Sequence, residues 1–107
     1  MNQLLKFKIL QEHSNIIKAK KLAYDIYDKP LNISTRKYKK YMIKNPLTNR
    51  YIHFGDIRYE DYLYTKNPIK RNSYLKRSEK IKGNWKDDDY SPNNLSRRIL
   101  WDEFNII

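Results

Sequence analysis

The stretch "YMIKNPLTNRYIHFG", residues 41–55, limits what this chain can fold into more than any other part of it. Successive side chains of a strand point to opposite faces, so in "YMIK" Tyr41 and Ile43 share one side while Met42 and Lys44 take the other. "YIHF" repeats the alternation, with Ile52 and Phe54 opposite Tyr51 and His53. Between them, Pro46 of "NPLTN" suits a turn position with φ of about −65°, and Asn49 a left-handed one. The pattern predicts an antiparallel hairpin over residues 38–54, ended by Gly55 with a φ that side chains resist. An isolated hairpin is marginal in water, so one face must pack on helices.

Three helical segments supply that cover. "HSNIIKAKKLAYDIYDKP" puts Ile16, Ala19, Ala23, Ile26 and Tyr27 on one face, with Ser14 as the expected cap and Pro30 as the stop. "NPIKRNSYLKRSEKIKGN" starts on Asn67 and Pro68, ends before Gly83, and has a thin seam of Tyr74, Ser78 and Ile81. "SPNNLSRRILWDEF" uses the same opening, with Ser91 or Asn94 as cap, Pro92 in the first turn, and Leu95, Ile99 and Trp101 facing inward. "DIRYEDYLYTKN" reads as a loop with a helical turn. The expected fold is α+β: a small antiparallel hairpin packed against two or three helices. Residues 1–12 form an N-terminal arm or short helix, and residues 13–107 a single small basic domain.

Composition sets the function classes. The chain is 39% hydrophobic and 14% aromatic, enough for a modest core built largely from tyrosine and too aromatic for a disordered chain. Its apolar runs are too short to span a membrane, and "MNQLLKFKILQEH" lacks the pattern of a secretory leader. The absence of cysteine excludes disulfides and thiolate metal sites. The formal net charge is +11, and residues 37–80 carry twelve Lys or Arg against four acids. A basic middle of this kind points to a polyanionic partner. The abundance of Lys, Asn, Ile and Tyr also fits the codon usage of an AT-rich genome, a bland account of part of the charge.

Two longer stretches, "STRKYKKYMIKNPLTNRYIHFGDIRYEDY" and "KRNSYLKRSEKIKGNWKDDDYSPNNLSRRILW", give the chain a resemblance. Over residues 34–101 it resembles a family of small basic proteins from nucleocytoplasmic large DNA viruses, the mimivirus relatives above all. The shared order is a KKY strand, a turn, an "HFG" strand, "EDY", an arginine-tyrosine helix and "NWKD…SPNNLSRxILW". That family has no known function. The chain departs from the pattern at "DIRYEDYLYTKNPIK", where family members often carry a glycine and more acidic residues.

Catalytic chemistry finds little purchase. His13 and His53 are the only histidines and lack partners at metal-ligand spacing; His53 reads as a packed or surface residue. Asp87, Asp88 and Asp89 are consecutive, so their carboxylates diverge, and they read as a solvated loop or as partners for Arg97 and Arg98. No phosphate loop, nucleophile elbow or dinucleotide fingerprint occurs. The expectation is no enzyme, no cofactor and no metal.

Binding is the stronger expectation. Arg36, Lys37, Lys39 and Lys40 before and within the first strand, with Lys70, Arg71, Lys76 and Arg77 on the helix, are the phosphate-contacting candidates. Tyr38, Tyr41 and Tyr51 are base-stacking candidates, with core packing as their alternative use. The chain is thus expected to be a non-catalytic viral nucleic-acid-binding or virion-associated protein, sited in the virion or in a viral factory of the host cytoplasm. DNA and RNA are both open as partners. The alternative is a minor structural or adaptor protein that binds another viral or host protein through its Trp/Phe-rich tail, anchored by Trp85, Trp101, Phe104 and the terminal "FNII". The whole expectation depends on the basic side chains between 36 and 80 converging in space.

Overall fold

Capping and alternation account for most of the architecture. The computed structural model describes residues 2–105, and the terminal Ile106 and Ile107 of the tail lie outside the described residues. Helix α1 (Gln3–Gln11) starts where the Asn2 side chain accepts the Leu5 N–H. Its Lys6 ammonium donates to the carbonyls of Ser34 (2.5 Å) and Arg36 (2.6 Å), and Leu10 enters the core, so this short helix is docked on the rest. Helix α2 (Ile16–Tyr27) is capped by Asn15, one residue later than expected. Ser14 is instead turned inward, where it accepts the Tyr41 hydroxyl at 2.9 Å. Ala19 and Ala23 are fully buried, with Ile16, Ile26 and Tyr27 packed beside them, and the helix ends at left-handed Asp28 ahead of Pro30.

The hairpin forms as the alternation requires. Strands β2 (Lys39–Asn45) and β3 (Arg50–Asp56) are antiparallel, pairing Tyr41 with Phe54 and Ile43 with Ile52. Tyr41, Ile43 and Phe54 are fully buried. Asn49 adopts φ 62° in the turn, and Gly55 φ 79°. A third strand, β1 (Asn32–Ile33), pairs with the other edge of β2, so the sheet has the order β1-β2-β3. Two residues are too few to show an alternation of their own, which is why this strand escapes a sequence reading.

Helix α3 (Tyr62–Thr65) is a single turn capped by Asp61. Helix α4 (Pro68–Glu79) opens on Asn67, whose side chain accepts the Ile69 and Lys70 N–H groups. It closes at Lys80, so Ile81 falls outside it and is exposed, and Arg71 takes a buried place on the seam beside Tyr74 and Ser78. A 3₁₀ turn (Trp85–Asp87) leads to α5 (Pro92–Leu95), capped by Ser91, which runs on into a wide π-type turn, Ser96–Leu100. Leu95, Ile99 and Leu100 are buried, and this C-terminal segment packs against both β3 and α2. The fold is α+β, a three-stranded antiparallel sheet covered by helices. Among the described residues no helix is long and apolar enough to cross a membrane.

Candidate nucleic-acid interface

The hairpin, the turn that follows it, α4 and the C-terminal segment meet around a cleft of about 820 Å³. Its backbone geometry begins at Gly55. A Cβ there would lie 2.8 Å from Leu100 Cδ1 and 3.2 Å from Lys40 Cβ, so glycine permits both the positive φ and the close approach of the C-terminal segment. Past Gly55 the chain turns through residues 56–61, and Asp56 accepts from the Arg58 backbone N–H and from its guanidinium at 2.7 and 3.0 Å. These bonds hold the Asp56 carboxyl down at about 2, Arg58 being the main cause.

Across the cleft, α4 presents one face. Lys70, Tyr74 and Arg77 stand at i, i+4 and i+7 and all line it. Tyr74 stacks on Trp101 with ring centroids 4.1 Å apart and planes 7° apart, forming an aromatic wall. Lys39 of β2 lines the same space from the hairpin side.

At its inner end lies a buried ion pair, Lys40 Nζ to Asp61 Oδ2 at 2.9 Å, with both side chains 2% exposed. Lys40 also donates to the His13 carbonyl at 3.1 Å. Burial pushes the Lys40 ammonium below its ordinary value and the Asp61 carboxyl above its own, and the attraction between the two works against both shifts. Among the described residues, Lys39, Lys70 and Arg77 form no ion pair, whereas Arg58 and Lys40 are matched by Asp56 and Asp61. Of the acids lining the cleft only Glu60 is left without a cationic partner there. With Lys39, Lys70 and Arg77 outside any ion pair, the described lining carries an excess of positive charge, part of it set opposite Asp56, which faces Lys39 across the hairpin.

The aromatic surroundings of Arg58 extend the site outward. Its guanidinium carbon lies 5.3 Å from the Tyr38 ring centroid and 5.8 Å from that of Tyr59, and Lys37 Nζ lies 5.2 Å from Tyr38. Both tyrosines are exposed, Tyr38 by 53% and Tyr59 by 65%.

The expected phosphate-contacting set is therefore divided. Lys39, Lys70 and Arg77 converge on the cleft, and Lys37 adjoins it through Tyr38. Arg36 and Lys76 are exposed but do not line it. Two candidates are corrected. Lys40 is buried and spent on Asp61. Arg71 is buried because its guanidinium donates to the backbone carbonyls of Trp101 (2.9 Å), Asp102 (2.7 Å), Glu103 (3.3 Å) and Asn105 (2.8 Å), tying the C-terminal segment to α4.

Among the stacking candidates Tyr41 is corrected too, being fully buried and bonded to Ser14. Tyr51 is exposed at a separate shallow pocket with Met42 and Gln3. The tail anchors are largely used inside the molecule. Trp101 is on the Tyr74 stack, and Trp85 donates its indole N–H to the Ile81 carbonyl and carries Arg97 at 5.5 Å. Phe104 is 58% exposed. Asp89 pairs with Arg98, while Arg97 pairs with Glu103 and Glu79.

Arg58 and Tyr59 were not among the expected residues, although "RYE" is a cation beside an aromatic at the tip of a post-strand turn. Among the described residues no group of three or more His, Asp or Glu could hold a metal ion. His53 accepts or donates one bond, to Ser34 Oγ at 2.7 Å, and burial together with Arg36, Lys6 and Lys39 lowers its pKa.

Residues 29–78 match the model of a family of unknown function (DUF5754). This segment holds the sheet, α3 and nearly all of α4, and with them Lys39, Arg58, Tyr59, Lys70 and Arg77. No curated protein and no solved structure matches the chain.

Proposed function

We propose that this protein is a non-catalytic nucleic-acid-binding protein that holds phosphate backbone in the cleft between its hairpin and α4. The observation that carries the reading is the meeting of Lys39, Lys70 and Arg77 in one cleft without carboxylate partners among the described residues. Lysine and arginine gain affinity for nucleic acid by displacing condensed counterions, and they recognise backbone and not sequence. In the viral setting implied by the resemblance, such a protein would organise viral nucleic acid in the virion or in the viral factory. The adaptor alternative has Phe104 as its one well-exposed anchor among the three nominated, so it has less support.

Reversing Lys70 and Arg77 together to glutamate tests the reading, because both side chains are exposed and make no hydrogen bond among the described residues. The double variant should keep the far-ultraviolet circular dichroism of the parent and lose most of its affinity for DNA and RNA at modest salt. Undiminished binding by a folded double variant refutes the cleft as the nucleic-acid site.

A further inference from the structure

The tyrosines of this chain divide by use. Tyr27 and Tyr41 bond inside the fold and Tyr74 stacks on Trp101, whereas the Tyr59 side chain makes no hydrogen bond among the described residues and stands 65% exposed at the cleft. Among the described residues its cationic neighbour is Arg58, whose guanidinium carbon lies over the ring at 5.8 Å from the centroid. Flat aromatic and guanidinium surfaces beside a basic groove are what unpaired bases stack on.

The charge of the lining supports the same reading. Lys39, Lys70 and Arg77 form the cationic part, while Glu60 follows Tyr59 directly. A free carboxylate repels phosphate but accepts hydrogen bonds from base amino groups, so the place beside Glu60 suits a base better than a phosphate. Size agrees. A space of about 820 Å³ is in the range that encloses small molecules, the scale of one or two nucleotides. A duplex keeps its bases paired and stacked on one another, so it offers phosphate to the lysines and arginine but no free base face to an aromatic ring.

We propose that the cleft takes an unpaired strand of nucleic acid, with a base stacked on Tyr59 beside Arg58 and the adjoining phosphates held by Lys39, Lys70 and Arg77. This rests on the reading of the cleft as a nucleic-acid site.

Fluorescence anisotropy on the full chain, with a labelled single-stranded oligonucleotide and the duplex of the same sequence, tests it. The single strand should bind more tightly than the duplex. Tyr59→Ala should weaken single-strand binding roughly 5- to 150-fold, the size of one lost stacking contact, and leave duplex binding unchanged. Tyr59→Phe keeps the ring and should retain the parent affinity. Equal or tighter duplex binding, or a folded Tyr59→Ala protein with the parent's single-strand affinity, overturns the inference and leaves the broader reading standing. Failure of the parent to bind either probe overturns both.

Discussion

Lys40 is the residue on which the basic middle of the chain turns from surface to interior. Its ammonium has exchanged water for one carboxylate oxygen and one carbonyl, and Asp61 has paid in desolvation for a salt bridge that also caps α3. The directions of their shifts say which effect wins. A carboxyl held above 3.8 makes the fold lose stability as pH rises from that value through the folded pKa. An ammonium held below 10.5 makes it regain stability as pH rises through the folded pKa toward 10.5. Each charged form is thus the costly one, and desolvation outweighs the attraction. Removing a single partner leaves the other charge buried and alone, which costs about 3–5 kcal/mol. Lys40→Met should therefore destabilise strongly in urea, whereas Lys40→Met combined with Asp61→Asn, which keeps a capping oxygen, should recover more than half of the loss. A double variant no more stable than Lys40→Met would refute the pair as a mutually dependent unit.

At the scale of elements, the approach of the C-terminal π-type turn to β3 shapes the inner wall of the cleft. Gly55→Ala has to place a Cβ 2.8 Å from Leu100 at φ 79°. Left-handed strain and overpacking together should cost roughly 2–5 kcal/mol, read as a lowered urea midpoint. Parent-like stability would mean that the two elements part easily.

The hairpin was legible beforehand because Tyr41, Ile43, Ile52 and Phe54 alternate without a break, and α4 because Asn67-Pro68 is a start signal with a mechanism. The burial of Arg71 was half legible. It lies at i, i+3 and i+7 with Tyr74 and Ser78, on the very seam the periodicity marked, but a cation there is normally read as solvated. What the periodicity could not convey is that the chain returns some thirty residues later with four carbonyls to receive it. Lys40 was illegible for the same reason, since its partners Asp61 and the His13 carbonyl come from turns with no period at all. Tertiary hydrogen bonds, not local pattern, decide which of the eight nominated cations are free to meet a ligand.

For the whole molecule the question is whether a net charge of +11 acts as a diffuse field or through the cleft. Each phosphate neutralised on a single strand contributes about −0.7 to the slope of log affinity against log salt. A cleft working through Lys39, Lys70 and Arg77 should thus give a slope of about −2, and reversal of Lys70 and Arg77 should flatten it to about −0.7 or less. The decisive control reverses Lys8 and Lys18 instead. Both are exposed, neither lines the cleft, and the formal charge falls by an identical amount. A diffuse field responds equally to the two double reversals, because at long range only the total matters. A localised site responds to the first and is nearly indifferent to the second, since physiological salt screens charges beyond roughly 8 Å. Salt titrations of the parent and both variants against one single-stranded probe separate these cases, and parallel losses of affinity and slope in the two variants would dissolve the cleft into the general charge of the surface.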